Sequence, residues 1–307
     1  MKNLLIITLL FTISLMASSD KNKDAARVAK LLERGCLAGD IRSCYNLGYM
    51  NFNGDGIKRD KLKAKELYIK ACNGGYIGAC LNLGNMYSNA DGIKKDKLKA
   101  KELYTKSCKK GSIRACFNLG KMYSDGDAVK RDKLKAKELY IKACDGGYMA
   151  SCSNLGMMYS NGDGIKRDIL KAKELYIKAC NGGEKVGCFN LGSIYANGEG
   201  VKRNYAKAKK LYIKACDKKH YASCSNLGLL FYKGNGVKKN IKRASELYNY
   251  ACKNNDDLAC LNLGALYVNG DGVKRDKKLA LKLFKRACVL GNKIGCEYSI
   301  RLKSEVY

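Results

Sequence analysis

The chain has 307 residues, 59 of them basic and 28 acidic, for a formal net charge of +31; it holds sixteen cysteines, one histidine and neither proline nor tryptophan. One histidine excludes a histidine-rich metal centre, and without proline the helix breaks must come from glycine and asparagine. A field this positive points to polyanions, acidic proteins or anionic lipid surfaces.

Residues 1–19 read as a secretory leader: Lys2 is the positive start, Leu4 to Met16 form a short apolar run, and Ala17 and Ser19 fit a small-x-small cleavage site. Cleavage is expected after Ser19, and its alternative is an uncleaved N-terminal anchor. No cysteine follows the run, which argues against a lipid anchor there. Removal of Lys2 leaves +30 on residues 20–307, a length of 288 residues, or eight times 36. No later stretch is apolar enough to span a bilayer. The expected locations are therefore the periplasm or the exterior.

All the cysteines fall in pairs eight apart: Cys36/Cys44, Cys72/Cys80, Cys108/Cys116, Cys144/Cys152, Cys180/Cys188, Cys216/Cys224, Cys252/Cys260 and Cys288/Cys296. The step between pairs is always 36 residues. A strict period of this length marks an array of one supersecondary unit. Two uses of paired cysteines compete. Export favours disulfides, whereas zinc favours shorter spacings and four ligands. The C-x7-C spacing selects disulfides, and no metal or other cofactor is expected.

Within the unit that begins at Cys80, Cys80, Leu83, Gly84 and Tyr87 share one helix face. The spacing predicts a first helix, A, from about Gly78 to Ser88. It ends at Asn89-Ala90-Asp91-Gly92; the equivalent Asn161-Gly162-Asp163-Gly164 places glycines where left-handed turns are needed. Next comes a cap position, always Asp or Asn: Asp60, Asp96, Asp132, Asp168, Asn204, Asn240 and Asp276. The second helix, B, follows to about Cys108, with Ala100, Leu103, Tyr104 and Cys108 on its apolar face. The tyrosines at Tyr68, Tyr104, Tyr140 and Tyr176 lie on that face and read as packing. Each disulfide would join the end of a B helix to the start of the next A helix. A nine-residue closed loop of this kind contributes about 2–3 kcal/mol. A glycine recurs inside helix A at Gly48, Gly84, Gly120, Gly156, Gly192, Gly228 and Gly264. It costs about 1 kcal/mol against alanine, so its recurrence predicts a close helix approach. The chain starts in the B phase with Val28, Leu31 and Leu32, and ends in the A phase at Cys296 to Lys303.

These residues carry a resemblance. Asn154-Leu155-Gly156-Met157-Met158-Tyr159, then Gly162-Asp163-Gly164, then Lys171 through Cys180 resemble the Sel1-like repeat, a relative of the tetratricopeptide repeat. The added cysteine pair and the leader resemble the Helicobacter cysteine-rich proteins. The resemblance covers essentially all of residues 20–307. It implies an all-α fold, a right-handed α-solenoid of disulfide-clipped αα-hairpins in 36-residue repeats, organised as a single array of eight units. It also implies an alternative activity, since that family has been labelled as penicillin-binding proteins or β-lactamases.

A serine β-lactamase needs Ser-x-x-Lys, Ser-x-Asn and Lys-[Ser/Thr]-Gly. Only the first occurs, at Ser107/Lys110 and at Ser18/Lys21. His220 is the single histidine, so a zinc hydrolase lacks ligands. No catalytic set is assembled.

Two rows remain as candidate binding residues. Asn46, Asn82, Asn118, Asn154, Asn190, Asn226 and Asn262 always stand two after the helix A cysteine. In tetratricopeptide-type arrays such asparagines hold a peptide backbone or terminal carboxylate; bonding to a neighbouring repeat fits their constancy equally well. Three residues on, Tyr49, Asn85, Lys121, Met157, Ser193, Leu229 and Ala265 vary as a recognition surface would. A dibasic pair also precedes each cap, from Lys58-Arg59 and Lys94-Lys95 to Lys274-Arg275. The expectation is a monomeric binding scaffold for a peptide or protein, or for cell-wall fragments or anionic envelope polymers; export argues against nucleic acid.

Overall fold

The computed structural model describes residues 23–306, so the expected leader, its cleavage site and the Ser18/Lys21 pair lie outside the described residues. Those residues form sixteen α-helices and no strand. They divide into two compact units, one ending at Tyr148 and one beginning at Met149. The first holds α1 (23–37), α2 (Ile41–Asn53), α3 (Lys61–Asn73), α4 (Ile77–Asn89), α5 (Lys97–Lys109), α6 (Ile113–Asp125) and α7 (Lys133–Asp145). The second holds α8 (Met149–Asn161), α9 (Ile169–Asn181), α10 (Lys185–Asn197), α11 (Tyr205–Asp217), α12 (Tyr221–Lys233), α13 (Ile241–Lys253), α14 (Asp257–Asn269), α15 (Lys277–Val289) and α16 (Lys293–Val306). No helix among the described residues is long and apolar enough to cross a membrane.

Even-numbered helices are the A helices and odd-numbered ones the B helices, in the register the apolar spacing predicts. Helix A of the type unit runs Ile77–Asn89, within a residue of its expected ends. Every expected Asp or Asn cap works. Asp60 accepts from the amide of Lys63, Asp96 from Lys99, Asn204 from Lys207 and Asn240 from Arg243. Each supplies an acceptor to an N–H that the helix itself leaves unpaired.

The A-to-B joint is closed by the helix A glycine. A Cβ on Gly84 would stand 2.7 Å from the Tyr104 ring, and one on Gly120 would stand 2.9 Å from Tyr140. The contact recurs at Gly192 with Tyr212, Gly228 with Tyr248 and Gly264 with Phe284. The B-helix aromatic lies flat on the bare backbone of helix A and is buried: Tyr68 is 1% exposed and Tyr104 is 3% exposed. The alanines Ala64, Ala100, Ala136, Ala172, Ala208, Ala244 and Ala280 are fully buried beside them.

The B-to-A joint is the disulfide. Bridges join Cys36 to Cys44, Cys72 to Cys80, Cys108 to Cys116, Cys180 to Cys188, Cys216 to Cys224, Cys252 to Cys260 and Cys288 to Cys296. Cys144 and Cys152 are disulfide-bonded as well, and no described cysteine is free. The helix A partners Cys44, Cys116, Cys152, Cys188, Cys224 and Cys260 are fully buried. Their sulfurs face the core and not a surface, so these cysteines hold the frame and offer nothing to a ligand. The reason is their place in the helix: each opens the apolar face that packs on helix B, as Cys116 does with Leu119 and Gly120.

Inside each bridge the third residue after the first cysteine has positive φ, and its N–H donates to that cysteine's carbonyl: Gly75 to Cys72, Gly111 to Cys108, Gly183 to Cys180. Lys219 and Asn255 hold the same place at φ +59° and +68°. Left-handed positions are therefore not reserved for glycine here, and Ala90, at φ 57°, caps α4 where other repeats have glycine. The bridge closes the turns that hold Lys219 and Asn255, whereas Ala90 adopts this conformation in the A-to-B loop, outside any bridge.

Two outcomes follow from these joints. Gly84→Ala should lower stability by about 1–3 kcal/mol in a thermal or denaturant melt, because crowding the Tyr104 ring outweighs the ~1 kcal/mol helix-propensity gain. A neutral or stabilising result would mean the ring is free to shift. Non-reducing peptide mapping should return no free thiol and only bridges between cysteines eight apart.

Candidate functional site: the clefts between successive A helices

The B-helix tyrosines bring their hydroxyls out between two A helices, where the asparagine row meets them. In the first unit the Tyr104 hydroxyl donates to Asn85 Oδ1 at 2.8 Å, and Asn118 Nδ2 of the next A helix donates to the same oxygen at 3.0 Å. Asn82 lies near the phenols of Tyr68 and Tyr45, but the Tyr68 hydroxyl is buried without a hydrogen-bond partner. In the second unit Asn226 reaches Tyr212, whose hydroxyl lies 3.2 Å from Ser193 Oγ. Burial pushes the phenols of Tyr68, Tyr104 and Tyr212 above the ordinary tyrosine range, while the amide or hydroxyl partners pull the other way. Each such hydroxyl is thus framed by the variable residue of its own repeat and the asparagine of the next.

The eighth repeat tests this assignment. Its B-helix aromatic is Phe284, which has no hydroxyl, and the asparagine position holds Tyr298. The two rings pack edge to face at 5.3 Å. Asparagine and hydroxyl are absent together here, whereas Asn46 is kept after Leu32, which has no hydroxyl either. Asn46, which follows Leu32 rather than a tyrosine, is the exposed member of the row; Asn82, Asn118, Asn154, Asn190, Asn226 and Asn262 are half-buried. Asn190 Nδ2 is buried without a hydrogen-bond partner.

Two sets of A helix, B helix and next A helix, one in each unit, enclose a cleft. In the first unit one of about 320 Å³ is lined by Asn85, Tyr104, Asn118, Lys95, Lys121 and Asp125, among others. It unites both candidate rows with a dibasic pair. Lys97, at its rim, is ion-paired with Asp127. The equivalent cleft in the second unit, about 360 Å³, is formed by α14, α15 and α16 and lined by Ala265, Val268, Phe284, Tyr298, Arg301 and Glu305. Position for position these are the same sites five repeats on. The chemistry has changed from amides and lysines to rings and aliphatic groups beside one arginine.

A further contact escaped the sequence reading. The residue after the helix A cysteine touches the residue that starts the next A helix, 31 positions later. Tyr45 stacks on Tyr76 at 4.4 Å, Phe117 on Tyr148 at 4.8 Å and Phe189 on His220 at 4.7 Å. Where the first residue is Ser153, its hydroxyl donates to Glu184 at 2.7 Å, and Ser225 likewise bonds Asp256. Ring meets ring and hydroxyl meets carboxylate. Tyr76 and His220 make no side-chain cap bond, whereas Glu184 and Asp256 cap their helices at Gly187 and Ala259.

The hydrolase candidates fare differently. Ser107 is 1% exposed and its Oγ has no hydrogen-bond partner, so it faces neither solvent nor a base. His220 is half-buried on Phe189 with Nδ1 2.8 Å from Ser223 Oγ; Ser223 is itself fully buried. No group of three or more His, Cys, Asp or Glu among the described residues could hold a metal ion.

With this geometry in hand, the comparisons decide the family. Sel1 repeat sequences match residues 41–76, 77–112, 113–148, 150–184, 185–220, 222–256 and 257–292. The chain belongs to the Sel1 repeat family. No curated protein matches it. Among solved structures it resembles a protective antigen of uropathogenic Escherichia coli strains displaying an SLR fold, at 29% identity and a TM-score of 0.78, over 89% of this chain and 59% of the antigen. The chain therefore spans well under two thirds of that antigen's length. A Sel1 repeat protein from Oxalobacter formigenes aligns at 24% identity and a TM-score of 0.76, over 93% of this chain and 84% of that one. Helicobacter pylori cysteine rich protein B is 34% identical over 43% of this chain and 95% of its own, with a TM-score of 0.36.

One pH dependence follows from His220. Burial disfavours its imidazolium, Lys185 repels it, and Glu184 opposes both only in part, so its pKa lies below the ordinary 6.5. The unfolded chain then takes up the proton at a higher pH than the folded one. Stability should fall as pH drops below about 6.5 towards the folded-state value, and His220→Phe should flatten that part of the profile in denaturant melts. An unchanged profile would place the cause elsewhere.

Proposed function

We propose that this chain is an exported Sel1 repeat scaffold, a monomer processed after Ser19, whose array from residue 20 holds extended peptide or protein segments in the clefts between successive A helices. Sel1 repeats and disulfide clips are shown, and both suit a rigid binding frame in an oxidising compartment. The observation that carries the reading is the change of lining at one structural position. The α4–α5–α6 cleft offers amides and the cations Lys95 and Lys121, while the α14–α15–α16 cleft offers Phe284, Tyr298 and Arg301. A frame that stays constant while its clefts differ is what side-chain selection along a ligand requires.

In this reading the asparagines have two duties. Asn118 Nδ2 is engaged with Asn85 beside Tyr104, and amide groups not so engaged are available to a ligand backbone. The first-unit cleft should favour an acidic side chain or a terminal carboxylate, and the last cleft an apolar or aromatic one. Cell-wall fragments with free carboxylates meet the first requirement too.

The test is a peptide array probed with the processed chain, followed by titration calorimetry on the best binders. Lys121→Glu should weaken acidic peptides by about 1–3 kcal/mol, the range for an uncompensated charged partner, and leave the melting temperature unchanged because Lys121 is exposed. Arg301→Ala should leave those peptides unaffected. If Lys121→Glu binds the same peptides equally well, the cleft is not the recognition site.

A further inference from the structure

One row of apolar side chains is not used by the clefts. In the first unit Leu62, Leu98 and Leu134 are 62%, 61% and 62% exposed. Each is the second residue of its B helix, in α3, α5 and α7. Just before them stand Lys58-Arg59, Lys94-Lys95 and Lys130-Arg131, all six exposed. None of Lys58, Lys94, Lys95, Lys130 or Arg131 has an ion-pair partner among the described residues.

The edge is continuous within this unit. Lys61 pairs with Asp91 and Lys97 with Asp127, so the first turn of each B helix lies against the dibasic loop of the next repeat. None of the clefts at Asn85, Leu67, Leu103 or Ile57 is lined by these three leucines. They protrude singly between cations instead of lining a hollow. A shaped peptide ligand needs a hollow. A deformable surface with anionic headgroups above an apolar boundary does not.

The second unit supplies an internal contrast. Its dibasic pairs continue through Lys166-Arg167, Lys202-Arg203, Lys238-Lys239 and Lys274-Arg275, but its equivalents of Leu62 are Leu170, Ala206, Lys242 and Lys278. A soluble polyanion would need the cations alone. The first unit pairs them with leucine in every full repeat.

We propose that the leucine-studded basic edge of residues 58–63, 94–99 and 130–135 docks on an anionic phospholipid surface. Lys58, Lys94 and Lys130 meet the phosphates, and Leu62, Leu98 and Leu134 enter the headgroup–acyl boundary. The edge borders the α4–α5–α6 cleft, whose lining includes Lys95 and Lys97, but Lys58, Lys94, Lys130 and the three leucines do not line that cleft.

The test is co-sedimentation of the processed chain with vesicles of equal parts phosphatidylglycerol and phosphatidylcholine, or of phosphatidylcholine alone. All variants share the same N-terminus. Binding should require phosphatidylglycerol and weaken with salt. Leu62→Ser/Leu98→Ser/Leu134→Ser should reduce partitioning about tenfold or more, and Lys58→Glu/Lys94→Glu/Lys130→Glu about 100-fold or more. These side chains are exposed, so both variants should keep the parent's circular dichroism and melting temperature. Absence of binding to the phosphatidylglycerol vesicles overturns the proposal. So does full binding by the leucine variant, and if that variant also retains inorganic polyphosphate, the edge is a site for soluble polyanions.

Discussion

Everything in this fold depends on one joint, the disulfide between the end of each B helix and the start of the next A helix. Without it, that turn would rest on a left-handed residue and a few backbone hydrogen bonds such as Gly111 N–H to the Cys108 carbonyl. Covalent closure of a short loop removes entropy from the unfolded chain. It therefore relieves the apolar interface of some of its stabilising role. The helices can carry many lysines, and the turn can accept Lys219 at φ +59°, a conformation that costs a non-glycine residue about 1–2 kcal/mol.

The lysines are not idle solvation. Lys70, Lys106 and Lys142 each donate to the carbonyl of the cysteine at the end of the preceding B helix, Cys36, Cys72 and Cys108. A cation at a helix C-terminus offsets the negative end of its dipole. Lys99, Lys135, Lys171 and Lys207 lie over Tyr87, Tyr123, Tyr159 and Tyr195 of the A helix before them. Three registers of lysine, with the Lys61 and Lys97 ion pairs, are thus internal to the architecture. In the dibasic loops Arg59 and Arg167 donate to the carbonyls of Phe52 and Ser160, and Lys239 lies over Tyr232, so in the first unit it is Lys58, Lys94 and Lys130 whose charge is left to the surface.

Much of the fold was legible because its causes are local. The 36-residue period, the Asp or Asn caps and the glycine within helix A each act over a few residues, and Gly84 against Tyr104 is the close approach its cost implied. The cysteine pairs were legible as bridges for the same reason, and the burial of Cys116, Cys188, Cys224 and Cys260 makes them part of the core as well as clips. The 31-residue pairing of Phe117 with Tyr148, or Ser153 with Glu184, was hidden because it exists only once repeats are stacked. The asparagine row was half legible. Its constancy was plain, but constancy cannot separate a ligand contact from an internal one. Tyr298 replaces asparagine in the repeat where Phe284 replaces tyrosine, but Asn46 is kept after Leu32, so the exceptions do not divide the two roles. The division into two units left no mark in a sequence whose period runs through Tyr148 and Met149 unchanged.

The same comparison between repeats separates frame from function. Positions that change together, such as Tyr104 with Asn118 against Phe284 with Tyr298, belong to the joint between repeats. Positions that change alone are free of that constraint. Lys121 and Arg301 keep a cation at equivalent cleft positions while Asn85 gives way to Ala265 and Asn118 to Tyr298. The joint at the B-helix start also changes character within the chain. Lys61 and Lys97 use ion pairs to the next loop, whereas Ile169, Tyr205 and Ile241 pack on the bare backbone of Gly200, Gly236 and Gly272. An ion pair at a part-exposed edge adds little stability and leaves charge at the surface, while an aliphatic contact stabilises and hides itself. The first unit keeps a charged, leucine-bearing edge, while the second combines apolar contacts of Ile169, Tyr205 and Ile241 with the Lys277–Glu305 ion pair. Both divergences leave the fully buried B-helix alanines and the cysteine pairs unchanged, so clefts and edges differ from repeat to repeat on a constant frame.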